Sequence, residues 1–147
     1  MSELPGSVLF ACSHNAIRSP MAENILRYFH GRRIYVQSAG VRPAELDPFA
    51  VAVMDEIGID ISRHRARSFD QLDDDYFDVV ISLSPEAQHS AVELTRNNHC
   101  ELLFWRLPDP SLVEGSRENR LEAYRAVRDL LMRRIRERFP LEGAPEL

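Results

Sequence analysis

The chain has 147 residues, 44% of them hydrophobic and 28% charged, and a formal net charge of -5. That length suits one domain over 1–147, and the apolar share fills a real core, which argues against disorder. The negative balance supplies no overall basic field for nucleic acid or an anionic membrane, and no apolar run approaches the ~20 residues of a membrane span.

Val8 to Ala11 is a short apolar run and reads as a buried strand. Cys12 to Ser19 is polar and loop-like. A helix follows, with Ser19 as its expected N-cap, Pro20 at the first helical position, Glu23 in the first turn and Gly31 as its end. Ile34 to Ser38 reads as the second strand, and Asp47-Pro48 opens a second helix that stops at Gly58. Asp78 to Leu83 is the third strand, and Ser84-Pro85-Glu86 starts a helix to about Arg96. Leu102 to Trp105 is the fourth strand. A loop with Pro108, Asp109 and Pro110 leads to a last helix from about Ser116 to Phe139. Strands alternating with helices predict an α/β fold with a parallel sheet covered on both faces. Ligands of such sheets bind beyond the carboxyl ends of the strands, which is where Cys12 and Asp109 both fall.

The loop comprises Cys12, Ser13, His14, Asn15, Ala16, Ile17, Arg18 and Ser19. A loop from strand to helix N-terminus aims unpaired N–H groups and positive potential at one point, a setting for phosphate. Ser13 to Ser19 are therefore the candidate phosphate-binding residues. Arg18 adds a planar fork for two phosphate oxygens. In the same field Cys12 is expected to be a thiolate nucleophile, held in part by the Ser19 hydroxyl. Asn15 suits a tight loop because it tolerates positive φ. A bland alternative makes Cys12 a small buried hydrophobe and Ser19-Pro20 a mere helix start. The flanking strand and helix, together with Asn15 and Ser19-Pro20, favour the functional one.

CSHNAIRSP after VLFA resembles the loop of low-molecular-weight protein tyrosine phosphatases and their arsenate reductase relatives. SAG at Ser38 to Gly40, DVVISLSPE at Asp78 to Glu86 and WRLPDP at Trp105 to Pro110 resemble the family's later landmarks, in order. The resemblance implies a flavodoxin-like three-layer sandwich around a four-stranded parallel sheet. It also implies Cys12 as nucleophile, Arg18 as oxyanion clamp and Asp109 as general acid. The chemistry requires such an acid, because thiolate attack on phosphorus expels an alkoxide that needs a proton. Alone, Pro-Asp-Pro is ordinary turn chemistry. No metal or other cofactor is expected, because Arg18 and the backbone carry the phosphate charge, and Asp73, Asp74 and Asp75 read as a solvated loop.

The chain departs from that family in several places. His14 stands where the family usually has Gly, and Ile17 replaces a common second loop cysteine, which exposes Cys12 to overoxidation. Ser111 and Leu112 follow Asp109-Pro110 in place of aromatic residues, and Ala16 favours neither phosphotyrosine nor phosphoarginine. Cys100 is expected to be a structural thiol; two cysteines make no disulfide framework, as in a cytoplasmic protein with reduced thiols, and MSELPGSVLF lacks a secretory pattern. His30, His64, His89 and His99 read as surface or helix-end residues. Arg63, Arg65 and Arg67 read as a solvated basic patch, with docking of acidic partners as the alternative. The expected reaction is phosphomonoester hydrolysis, on a phosphotyrosine protein or a small phosphomonoester as partner. The alternatives are arsenate reduction with a small external thiol and a phosphate-binding regulatory module. The thioredoxin-coupled reductase is disfavoured because Ser84 stands where such enzymes tend to place a cysteine. Oligomeric state is left open.

Overall fold

The four apolar runs pair side by side as β1 (Ser7–Cys12), β2 (Tyr35–Gly40), β3 (Val79–Ser82) and β4 (Glu101–Phe104). All pairings are parallel and the order is β2-β1-β3-β4, in a computed structural model that describes residues 4–96 and 98–141. The helices are α1 (Arg18–His30), α2 (Pro48–Asp55), α3 (Pro85–Thr95) and α4 (Arg117–Arg138). The expected elements are present, with strand ends displaced by a residue or two. Among the described residues no helix is long and apolar enough to cross a membrane.

β1 is central, and the alternation of its side chains divides the core in two. Val8, Phe10 and Cys12 face a large cluster with Ile25 and Leu26 of α1, Val53 of α2 and Leu131 and Ile135 of α4. Leu9 faces the other way, toward Val80, Phe77 and Ala91 of α3. This double burial explains why β1 reads as an unbroken apolar run, and each fully buried Leu or Phe contributes about 1.5–3 kcal/mol. The result is three layers: α1, α2 and α4 on one face, the sheet, and α3 on the other. β4 is an edge strand, which leaves Glu101 and Phe104 exposed.

Caps set the helix starts at the C-terminal edge of the sheet. Asp47 accepts from the Phe49 N–H at 2.8 Å, Ser84 from Ala87 at 3.2 Å and Ser116 from Asn119 at 3.0 Å. The first helix corrects the sequence expectation. It begins at Arg18, and Ser19 lies inside it and caps nothing, because its hydroxyl is engaged with the loop before it. Glu23 is therefore beyond the first turn and is buried.

α2 is clasped to α4. Arg128 donates to the Val53 carbonyl and to Glu56, each at 2.8 Å, and Arg125 grips the same carboxylate. Arg125 and then Arg128 hold the Glu56 carboxyl down at about 2. Tyr124 of α4 donates to Asp47 at 2.7 Å, and that hydrogen bond follows burial among the causes that push its phenol up.

Candidate active site

The strand register brings Cys12, Gly40, Ser82 and Phe104 to one edge of the sheet. Backbone pairing then continues past the strands. The Leu83 N–H donates to the Ala11 carbonyl, Trp105 to Ser82 and Leu107 to Leu83. This ladder carries the segment before Asp109 back over the end of β1. Cys12, His14, Ala16, Ile17, Arg18, Asp109 and Ser111 thus line one cavity of about 30 Å³.

The loop turns its carbonyls outward because the segment after β2 takes them. The N–H groups of Val41, Arg42, Ala44 and Asp47 donate to the carbonyls of Cys12, Ser13, His14 and Ala16, at 2.8 to 3.2 Å. With the carbonyls so occupied, the N–H groups from Ser13 to Ser19 donate to no acceptor among the described residues. They form a concave set of donors at a helix N-terminus, which can receive an oxyanion. Gly40 permits the close packing behind them. A Cβ there would lie 2.6 Å from the Asn15 nitrogen, nearer than a real Cβ contact.

Asn15 is the keystone of this loop. It is the non-glycine residue with positive φ (52°) among those described. Its amide orientation follows from a donor that cannot accept: the Arg67 N–H reaches Asn15 Oδ1 at 3.0 Å. Asn15 Nδ2 must therefore donate, to Ser38 Oγ at 2.9 Å and Ser19 Oγ at 2.8 Å. Ser19 Oγ, which accepts from Asn15, also shares a hydrogen bond of 2.9 Å with Cys12 Sγ, in which either atom can donate. Cys12 and Ser19 are both buried.

Arg18 is also buried, and its Nη1 donates to the Leu107 carbonyl at 3.0 Å. One edge of the guanidinium thus ties the helix to the segment that carries Asp109. Asp109 Oδ1 accepts from the N–H and the hydroxyl of Ser111, at 2.9 and 2.6 Å. Those two bonds fix the carboxyl and leave Oδ2 without a protein partner among the described residues. Phosphate charge at this point would be met by Arg18 and backbone N–H groups.

His30 ends α1, as expected of a helix-end residue, and His64 corrects the sequence reading. His30 is buried, with Nε2 against the Phe139 carbonyl at 2.8 Å. His64 is nearly as enclosed, with a side chain 5% exposed. Its Nε2 meets Asn15 Oδ1 at 3.0 Å and the Asn15 carbonyl at 3.2 Å. Both are acceptors, so Nε2 carries the proton and Nδ1 faces Glu23 Oε1 at 3.7 Å. Glu23 in turn accepts from Ser38 and from Arg27. A second shell of Glu23, Ser38 and His64 therefore holds Asn15, and Arg67 belongs to it rather than to a solvated patch. Three flanking arginines disguised His64 as a surface residue.

Burial pushes the His64 imidazole below its ordinary value of 6.5, against an opposing pull from the Glu23 carboxylate. A depressed histidine binds its proton less readily in the folded chain than in the unfolded one. Its contribution to stability is thus present above 6.5 and is lost as pH falls from there through the lower folded value. The thermal midpoint should fall more steeply from about pH 7 to about pH 5 in the natural chain than in His64→Gln, which keeps an N–H donor but cannot titrate. Parallel curves would remove His64 from the titrating groups.

Cys100 lies at the other end of the sheet. It precedes Glu101, which pairs with Val79, which pairs with Val8 at the start of β1. Strand rise of about 3.3 Å per residue and two spacings of about 4.8 Å put it roughly 19 Å from Cys12, beyond the ~7 Å Cα reach of a disulfide. It packs beside Leu9 and Leu102, and burial pushes its thiol up. Position 84 does touch the loop, but as serine: Ser13 Oγ donates to Ser84 Oγ at 3.0 Å.

Residues 7–140 match the model of the family described as low molecular weight phosphotyrosine protein phosphatase. The chain is 34% identical over 129 residues to an arsenate reductase of Halalkalibacterium halodurans, which covers 88% of this chain and 91% of the relative. It is 34% identical over 128 residues to a glutaredoxin arsenate reductase of Synechocystis sp., covering 87% and 92%. Among solved structures it superposes on an arsenate reductase in its phosphate-binding state with a TM-score of 0.71 at 31% identity, covering 89% and 94%. It superposes on a low molecular weight protein tyrosine phosphatase from T. tengcongensis with a TM-score of 0.70 at 30% identity, covering 86% and 92%. With the fold and the cysteine–arginine loop both in place, this chain belongs to the low-molecular-weight phosphotyrosine protein phosphatase family.

Proposed function

We propose that the chain hydrolyses phosphomonoesters through a phosphocysteine intermediate, with phosphotyrosine on a protein as the leading substrate class. The observation that carries this reading is the sulfur of Cys12 hydrogen-bonded to the Ser19 hydroxyl beside a set of loop N–H groups that have no acceptor among the described residues. The substrate phosphate lies on those N–H groups and on Arg18, which compensate its negative charge and the charge that develops as it transfers. The Cys12 thiolate attacks phosphorus and forms the S–P bond as the ester P–O bond breaks. Asp109 gives its proton to the departing oxygen. A water then attacks phosphorus, Asp109 takes the water's proton, and the S–P bond breaks to release phosphate and restore the thiolate.

A second reading is arsenate reduction, favoured by the names of the 34% identical relatives. There Cys12 attacks arsenate with loss of water, and an external thiol attacks the sulfur. The sulfur–arsenic electron pair passes to arsenic, which leaves as arsenite, and a second thiol reduces the mixed disulfide on Cys12. The distant Cys100 and the serine at 84 favour external thiols over an internal relay.

The test compares turnover of a phenyl phosphate chromogen with reduction of arsenate by glutathione. The phosphatase reading expects release of phenol without any thiol, whereas activity confined to arsenate plus thiol would replace it by the second reading. Asp109→Asn sharpens the test. With an alkyl phosphate, a poor leaving group, its kcat should fall about 10²–10⁴-fold, and with the phenyl chromogen it should fall less. Equal losses on both esters would remove Asp109 as the proton donor.

A further inference from the structure

We propose a second anion site, separate from the catalytic loop and shaped for a compact polyphosphate of nucleotide size. Behind the loop lies a depression of about 340 Å³, lined by Arg27, Arg63, Arg65 and Arg67 together with Glu23 and Asp60. This volume falls in the range of small-molecule sites, about 300–1,000 Å³. Four arginines line it in a chain whose formal net charge is -5. The nearby carboxylates are already engaged. Glu23, buried in the floor, accepts from Arg27 and Ser38, and Asp60 accepts from the Ser62 N–H at 2.8 Å.

Arg63 and Arg65 differ from the other two. Arg27 is spent on Glu23 and the Val36 carbonyl, and Arg67 on Gln37. Arg63 and Arg65 are exposed, and their guanidiniums make no ion pair or hydrogen bond among the described residues. Two planar forks that line one hollow and have no hydrogen-bond partner among the described residues, with the Asp60 carboxylate drawing on the Arg63 charge, suit a ligand with several phosphate oxygens better than a single carboxylate. His64 bonds Asn15 and, with the arginines on either side of it, lines the hollow. The depression thus shares His64, Glu23 and Arg67 with the second shell of the loop. The inference does not depend on whether the loop processes phosphate or arsenate.

Tripolyphosphate is the probe, titrated calorimetrically into the full chain at about 0.15 M salt, where loose surface attraction is largely screened. The natural chain should bind two equivalents, one on the catalytic loop and one here. Arg18→Ala should lose the first and keep the second. Arg63→Glu with Arg65→Glu should weaken the second by about tenfold or more, and Arg65→Gln alone should weaken it less, in the same direction. The His64 imidazole resonances should move on titration in Arg18→Ala and stay still when both Arg63→Glu and Arg65→Glu are added. Loss of all binding in Arg18→Ala, or undiminished binding in the double charge reversal, would overturn the site. Tighter binding of a poly-glutamate peptide than of tripolyphosphate would overturn the ligand class.

Discussion

Cys12→Ser should abolish turnover, by about 10⁴-fold or more, while binding inorganic phosphate at least as tightly as the natural chain. The two halves of this result have separate causes. The N–H donors from Ser13 to Ser19 are arranged by the segment after β2 and by Asn15, none of which needs the sulfur. The cradle should therefore survive the substitution. The nucleophile should not, because a neutral serine hydroxyl is a far weaker nucleophile than a cysteine sulfur, and neither His14 nor Asp109, the titratable neighbours in the cavity, hydrogen-bonds to position 12. Phosphate affinity should rise, because a sulfur anion facing a dianion is repelled by it and a neutral hydroxyl is not. Turnover of a phenyl phosphate chromogen and phosphate titration measure the two halves. Residual turnover within about tenfold of the natural chain would place the nucleophile elsewhere.

Much of this arrangement was legible in the sequence, and the limits have physical reasons. β1 and the loop were readable because a strand buried on both faces must be continuously apolar, and its sudden end at Cys12 is itself a signal. Asp47, Ser84 and Ser116 were readable as caps because the requirement is local. The start of α1 was misplaced by the same rule. Ser19-Pro20 has the form of a cap, but the Ser19 hydroxyl is more strongly claimed by Asn15 and Cys12 from across the loop. Glu23 and His64 were missed because their burial depends on contacts between distant segments. A glutamate early in a helix and a histidine among arginines both look solvated until β2 and the segment after α2 are folded against the loop. The four N–H groups that turn the loop carbonyls outward were unreadable in principle, since backbone donors leave no trace in residue identity.

Arg18→Lys keeps the charge and removes the fork, and its kcat/KM should fall about 10²–10³-fold. The geometry explains why charge alone is not enough. Arg18 Nη1 is already committed to the Leu107 carbonyl at 3.0 Å, and Nε and Nη2 have no protein partner among the described residues. One rigid plane thus holds the segment before Asp109 and keeps two further donors available for an oxyanion. A lysine has a single nitrogen on a flexible stem. If it reaches the phosphate, the buried Leu107 carbonyl loses its partner, at a cost of about 1–3 kcal/mol. If it bonds Leu107, the oxyanion is left with backbone donors alone. Phosphate affinity and the thermal midpoint separate the two outcomes, since the first lowers stability and the second weakens binding. Because the tether also positions Asp109, the loss should be larger for an alkyl phosphate than for a phenyl phosphate. A lysine variant with the natural chain's kcat/KM on both esters would show that neither the two-point grip nor the Leu107 tether is used in turnover.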